Sequence, residues 1–235
     1  MDLPLIRKTN YPKAIENDYV YAQFSFNYKD PEKYSSTFDS LNQVFTRFCT
    51  LFKIEMPSNK LTYFIHQNNL EINLVSGSPK PGITGGFVID EYIHSVGMDI
   101  NLLTHEGVHY LIEPKIKFRN QFFQEGIPEA FGLIMNPQWI KDNCRLTSTY
   151  FDYDLKSLIT GEIEFFKGPH KNDQLLSYPF SGLFVYYLIK TWGIDKTVEY
   201  CNCQYTINCF DTVLGKPLDM TIKEWKDWIV SMTEN

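Results

Sequence analysis

The chain lacks a long apolar segment. Its longest nonpolar-rich stretch, residues 178–192, is short and is interrupted by Ser and Gly, whereas a membrane-spanning helix needs about 20 predominantly apolar residues. The first ten residues lack the apolar core of a signal peptide. The sequence therefore predicts a soluble, cytoplasmic protein without a membrane span.

Basic charge is also scarce. The chain has 22 Lys and Arg residues against 28 Asp and Glu residues, which gives a net charge of −6. Domains that bind nucleic acid usually carry a basic patch, and no basic run or aromatic-interleaved basic segment occurs here. We therefore expect no nucleic-acid partner.

Cysteines are few, and their number is odd. Five cysteines in a chain of this size suit free thiols in a reducing compartment. Cys201, Cys203 and Cys209 leave the alternative of a second metal site open. Their spacing matches no common zinc motif, however, and no histidine is near them.

Apolar and aromatic residues are plentiful. Of 235 residues 43% are hydrophobic, and 18 are Phe and 15 Tyr, so the chain can bury a sizeable core. No repeat, linker or low-complexity tract divides it. We expect one catalytic unit over 1–235, with possible sub-lobes 1–113 (mixed α/β) and 114–235 (mainly helical).

The apolar patterns predict an α+β fold. Alternation or short apolar runs indicate strands at 19–26, 61–66, 87–90 and 92–96. Spacings of three and four predict helices at 31–52, 178–192, 195–201 and 221–232. Asp30 is the predicted cap of the first helix, and Thr221 with Glu224 forms a predicted capping box for the last.

One segment indicates a chemistry. His105, Glu106 and His109 form an H-E-x-x-H pattern, and residues four apart lie on one face of a helix, so both histidines can bind the same zinc ion. Glu106 is then placed to take a proton from metal-bound water. Asp99 can cap this helix and Pro114 ends it. The plainer alternative is a surface helix with two solvated histidines.

A second acidic segment follows the histidines. Glu125 is followed by Gly126 and, four positions after Glu125, by Glu129. H-E-x-x-H followed by such a segment resembles the gluzincins, the zinc peptidases that include thermolysin and the aminopeptidase N family. The metzincin pattern does not fit, because Ile112 and Lys115 stand where it has Gly and His.

The resemblance implies a zincin-like fold and one Zn²⁺ per chain. It makes Glu125 the third ligand and Glu129 a residue that orients a histidine ligand. Glu129 as the ligand remains the alternative. Pro128 lies between the two glutamates, so the helix that carries them is expected to begin near Gln124 or to be distorted there.

The resemblance also assigns a substrate strand and an oxyanion donor. In gluzincins an edge strand before the zinc helix pairs with the substrate backbone, and Gly85, Gly86, Phe87 and Val88 match it here. Tyr178, at the expected start of an apolar helix, resembles the oxyanion donor of many small gluzincins. His170 is the alternative donor.

These residues together predict a zinc-dependent peptidase acting on peptide or protein substrates. The aminopeptidase motif G-x-M-E-N is missing from residues 82–86, which favours an endopeptidase or an exopeptidase of another design. Two alternatives remain. One is a non-catalytic, zinc-binding gluzincin-like module, and the other is a dedicated protease that cuts one regulatory partner protein.

Overall fold

The computed structural model describes residues 11–25, 27–76, 85–89, 91–117, 120–165, 173–202 and 209–234. The chain forms two compact units, the first ending at Ile112 and the second beginning at Glu113. The described strands belong to the first unit, and the described elements of the second are helical. The predicted α+β class is confirmed.

A mixed five-stranded sheet organises the first unit. Its strands are β1 (Lys13–Glu16), β2 (Val20–Phe24), β3 (Leu61–His66), β4 (Gly86–Ile89) and β5 (Tyr92–Val96), in the order β1-β2-β3-β5-β4. The three central strands are parallel, whereas β1 and β4 run antiparallel at the two edges. The sequence pattern misses β1 because that strand is mostly exposed and has no apolar alternation.

Three helices accompany the sheet: α1 (Ser35–Phe52), α2 (Asn69–Ser76) and α3 (Ile100–Ile112). Aromatic residues at spacings of three and four form a buried stripe on α1, with Phe38, Phe45, Phe48 and Phe52 at 0–1% exposure. The stripe packs towards the sheet, where the Phe38 ring meets Phe24 edge-on at 5.9 Å.

The predicted start of α1 is wrong. Pro31–Tyr34 form a 3-10 turn, and the Asp30 side chain makes no capping hydrogen bond. The Tyr34 ring stacks on Phe24 at 6.3 Å and meets Tyr28 edge-on at 6.2 Å. We infer that these tertiary contacts hold the turn, so that the α-helix proper begins only at Ser35.

Two buried histidines lie on strands β3 and β5. His66 Nε2 is 2.9 Å from His94 Nδ1, and the Tyr11 hydroxyl is 3.1 Å from His66 Nδ1. The His94 ring stacks between Phe64 and Phe87, at centroid distances of 5.2 and 5.0 Å. Burial lowers the pKa of His66 to about 4, so the imidazole is neutral at pH 7.

In the second unit two long helices pack closely, α4 (Gln121–Met135) and α7 (Asp173–Trp192). A Cβ on Gly126 would lie 2.8 Å from Val185 Cγ2 and 3.0 Å from the Ser181 carbonyl oxygen. A Cβ on Gly182 would lie 2.6 Å from the Cβ of Glu129. Both glycines therefore allow the two helix backbones to approach each other.

The remaining helical elements complete the second unit: α5 (Gln138–Ser148), α6 (Leu155–Thr160), α8 (Ile194–Asn202), a π-helical turn at Phe210–Leu214 and α9 (Leu218–Glu234). Trp225 of α9 is fully buried, with its ring 5.8 Å from Phe184 and 5.9 Å from Phe180 of α7. The predicted apolar face of α9 is thus part of this core.

Three helices of this unit begin before the predicted residues, and for α4 the alternative of a distortion at Pro128 stays a prediction. Helix α7 begins at Asp173, five residues before Tyr178, and contains Pro179. Helix α4 begins at Gln121, where Asn120 accepts a hydrogen bond from the Phe122 N–H, and continues through Pro128. A proline inside a helix removes one N–H donor and crowds the carbonyl four residues earlier; both helices nevertheless continue past their prolines and pack against each other.

The capping box predicted for α9 at Thr221 and Glu224 is wrong. Thr221 lies inside the helix, and its hydroxyl donates to the Pro217 carbonyl 3.1 Å away. Glu224 pairs instead with the Lys216 ammonium at 2.6 Å. Within the described part of the chain, no helix is both long and apolar enough to cross a membrane.

His66 makes fold stability depend on pH. Its folded-state pKa of about 4 lies below the usual value of 6.5, so between these values the unfolded chain binds a proton that the folded chain does not. Stability should therefore fall as pH drops from about 6.5 towards 4, by roughly 2–3 kcal/mol at pH 4.5. Urea unfolding of wild type and His66→Gln at pH 7 and 4.5 measures this.

The quantity to compare is the loss of unfolding free energy between pH 7 and pH 4.5 in wild type and in His66→Gln, because other groups also titrate in this range. The His66→Gln protein should lose about 2–3 kcal/mol less than wild type on acidification. Equal losses in the two proteins would show that His66 contributes nothing to the acid sensitivity.

Candidate metal centre

Helix α3 carries the histidine pair. It begins where the Asp99 carboxylate accepts a hydrogen bond from the Asn101 N–H at 2.8 Å, as predicted. Leu103, Val108, Leu111 and Ile112 are buried, whereas His105 and His109 are half-buried. The helix therefore turns its apolar side inwards and leaves both imidazoles accessible.

The two imidazoles converge. His105 Nε2 and His109 Nε2 are 3.0 Å apart, and the rings are inclined at 74°. In a tetrahedral zinc site with Zn–N bonds of roughly 2.0–2.1 Å, two ligand nitrogens lie about 3.3 Å apart. The pair thus fits a shared metal after a shift of a few tenths of an ångström.

Glu125 completes a group of three ligands. One ligand atom from each of His105, His109 and Glu125 can be chosen so that all lie within 4.8 Å of one another, and all three residues are half-buried. Two imidazole nitrogens and one carboxylate oxygen are a ligand set typical of catalytic zinc, which keeps a fourth position open. The donor chemistry therefore fits the predicted ion.

Glu129 is not part of that group. It lies one turn after Glu125 on α4, is half-buried, and packs through its Cβ where Gly182 has no side chain. This position favours Glu125 as the ligand over the alternative of Glu129. The orienting role expected for Glu129 stays a prediction.

Glu106 is the buried carboxylate of the motif, at 6% exposure. Its side chain lies against β4, because a Cβ on Gly86 would be 2.6 Å from Glu106 Cγ and 2.9 Å from Glu106 Cδ. Burial, and secondly the negative charge of Glu106, raise the pKa of Tyr63 well above its usual value. The carboxylate therefore lies in a poorly hydrated place beside the sheet.

Gly107 and Tyr63, which the sequence pattern does not single out, hold α3 in place. A Cβ on Gly107 would clash with the Phe45 ring and the Tyr63 hydroxyl. That hydroxyl donates to the Leu103 carbonyl at 2.9 Å. A glycine inside a helix costs up to about 1 kcal/mol of stability relative to alanine. The glycine at position 107 of the sequence is therefore a local indication that another part of the chain packs closely against the helix there.

Strand β4 lies at the edge of the sheet, as expected for the predicted substrate strand. It contains Gly86, Phe87 and Val88, whereas Gly85 precedes it with a φ of +127° that favours glycine. Phe87 pairs with His94 and stacks on its ring. Its pairing with a substrate stays a prediction.

The two predicted oxyanion donors have different outcomes. Tyr178 lies in the second turn of α7, not at its start, and its ring meets Phe165 edge-on at 5.5 Å. Its position inside the helix follows from the earlier start at Asp173. His170 lies outside the described residues, so its role stays a prediction.

The expectation of five free thiols is wrong. Cys49, Cys144 and Cys201 are free and buried, but Cys209 is disulfide-bonded. Burial raises the pKa of all three free thiols, that of Cys144 to about 12. Neutral thiols are poor metal ligands, and among the described residues the only three-ligand group is the one with Glu125. Cys203 lies outside them.

No known family model matches this sequence, and no curated protein is significantly similar to it.

Metal content tests the ligand assignment. We expect close to one zinc ion per chain, and lower occupancy in Glu125→Gln than in Glu129→Gln, because an amide oxygen is a weaker ligand than a carboxylate. Elemental analysis of the purified proteins after dialysis measures it. Equal zinc content in both variants, or loss in Glu129→Gln alone, would contradict the assignment, and two ions per chain would indicate a second site.

Proposed function

We propose that this chain is a zinc-dependent peptidase of the gluzincin type. The observation that carries the proposal is the group of His105, His109 and Glu125, with the buried Glu106 on the same helix as the histidines. In this function the three residues hold the ion. When bound, zinc lowers the pKa of a coordinated water and polarises the scissile carbonyl.

Glu106 is the general base in this proposal. Its carboxylate accepts a proton from the attacking water and passes it to the leaving amine. Side-chain contact with the backbone at Gly86 restricts its motion, and restricted motion keeps the carboxylate in one orientation.

Peptide backbone is the proposed ligand class. On its inner side β4 pairs antiparallel with β5, and it is the last strand of the sheet among the described residues. The outer N–H and C=O groups of an edge strand can pair with an added strand. Such pairing binds main chain and reads side chains only through neighbouring pockets.

Assays of peptide cleavage distinguish the proposed peptidase from two other functions. A non-catalytic zinc-binding module would bind zinc without cleaving any peptide, although an intact Glu106 argues against it. A dedicated protease would leave casein uncut and still cleave one partner protein. Casein digestion by the zinc-loaded chain, with a mixed peptide library as a second substrate, distinguishes broad activity from both.

Removing the base should abolish activity and retain the metal. We expect Glu106→Gln to bind zinc and fold, and to lose at least about 100-fold in peptide hydrolysis. Glu113→Gln is the matched control, because Glu113 is exposed immediately after the same helix. Near-wild-type turnover in Glu106→Gln, or equal loss in the two variants, would contradict the assigned base.

Tyr178 is the proposed oxyanion donor. A phenol can donate to developing negative charge without titrating near pH 7. Tyr178→Phe should lower kcat by about 10- to 1000-fold with little change in KM, since the bond forms mainly in the transition state. Steady-state kinetics on the best library peptide measures both constants.

Tyr186→Phe provides the control, because Tyr186 is a half-buried tyrosine on the same helix. It should keep wild-type kinetics, and His170→Ala should have a milder effect than Tyr178→Phe. If Tyr178→Phe is fully active and His170→Ala is nearly inactive, His170 and not Tyr178 is the oxyanion donor.

A further inference from the structure

A buried serine in β5 has no hydrogen-bond partner. Ser95 is 0% exposed, and its hydroxyl contacts no donor or acceptor within the part of the chain that the structure describes. An unsatisfied buried hydroxyl costs about 1–3 kcal/mol. Most buried polar groups in proteins have a partner, so this serine calls for an explanation.

The strand register places Ser95 on the face of the sheet that meets α3. Ser95 pairs with Ile65 in the parallel ladder, and Ile65 shares a face with Tyr63, two residues away. The Tyr63 hydroxyl donates to the Leu103 carbonyl of α3. The neighbouring His94 points to the opposite face, because successive side chains of a strand alternate.

On its other side Ser95 pairs with Gly86. The Val96 N–H donates to the Gly85 carbonyl at 2.8 Å, which makes that pair hydrogen-bonded and the next pair, Gly86 with Ser95, non-hydrogen-bonded. In such pairs the Cα atoms are about 4.5 Å apart and the side chains are close. Ser95 therefore has the Gly86 position as its immediate neighbour.

Glu106 occupies the space that a side chain on Gly86 would fill. A Cβ there would lie 2.6 Å from Glu106 Cγ and 2.9 Å from Glu106 Cδ. Because Gly86 has no side chain, no side chain at position 86 lies between the Glu106 carboxyl group and Ser95. The Tyr63 hydroxyl, which also lies on this face, already donates to Leu103.

We propose that Ser95 is a positioning residue for Glu106. Its hydroxyl rotates to donate a hydrogen bond to the Glu106 carboxylate, which can accept up to about four such bonds. This bond fixes the plane of the carboxylate, so that one oxygen faces the substrate side. This inference rests on the proposed role of Glu106 as general base.

Stability tests the bond without any need for activity. Ser95→Ala in the metal-free protein should lower Tm by about 2–4 °C, the shift that a bond of ordinary strength gives in a chain of this length. In a Glu106→Met background the acceptor is gone, so the same substitution should leave Tm unchanged or raise it. Scanning calorimetry of the four proteins measures the coupling.

Ser25→Ala is the matched control. Ser25 is also buried, at 3% exposure, and its hydroxyl likewise has no partner among the described residues. It follows β2, which is separated from β5 by β3 in the sheet. Its substitution should shift Tm equally in the wild-type and Glu106→Met backgrounds and leave kinetics unchanged. Ser95→Cys, similar in size but a weaker donor, should lie between Ser95→Ala and wild type.

Kinetics tests the consequence. Ser95→Ala should lower kcat by about 10-fold, with KM and zinc content unchanged, because the bond orients the base and does not bind substrate. Equal Tm shifts in both backgrounds, or an unchanged kcat in an active enzyme, would overturn the proposal. If wild type cleaves no peptide and the Tm coupling is present, the Ser95–Glu106 bond stands and the peptidase function fails.

Discussion

Helix α3 lies against the sheet through a residue that has no side chain. At Gly107 the helix backbone meets the Phe45 ring and the Tyr63 hydroxyl, and any Cβ there would clash with both. The same hydroxyl donates to the Leu103 carbonyl, one turn earlier. Since Gly107 follows Glu106 directly and lies two residues from each histidine, the positions of Glu106, the proposed base, and of the histidine pair depend on this contact.

The second unit uses the same device beside Glu125, the proposed third ligand. Gly126 follows Glu125 and lets α4 approach the Ser181 carbonyl and Val185 of α7, while Gly182 of α7 accommodates Glu129. Each glycine costs up to about 1 kcal/mol of backbone entropy relative to alanine. The close packing that follows offsets this cost, and it leaves Glu125 with little freedom of translation. A metal ligand needs that restriction, because coordination distances vary by only a few tenths of an ångström.

Burial of the Glu106 carboxylate is the most demanding feature of the site. A charged group at 6% exposure needs compensating partners. In the proposed peptidase a cation held by the neighbouring histidines would be one such partner, and the proposed hydrogen bond from Ser95 would be another. A peptide would meet Glu106 at the outer side of β4, the last strand of the sheet among the described residues.

By itself the sequence determined the features that depend on neighbours a few residues apart. The stripe of α1 and the convergence of His105 with His109 follow from helical periodicity alone, and Asp99 caps its own helix. The starts of α1, α4, α7 and α9 differ from the predicted ones: Pro31–Tyr34 form a 3-10 turn, and the other three helices begin before the predicted residues. Only the tertiary structure groups Glu125, and not Glu129, with the histidines among the described residues, and places Gly86 beside Glu106 and opposite Ser95. Those relations depend on strand register and helix approach, which join residues far apart in the chain and leave no local pattern in the sequence.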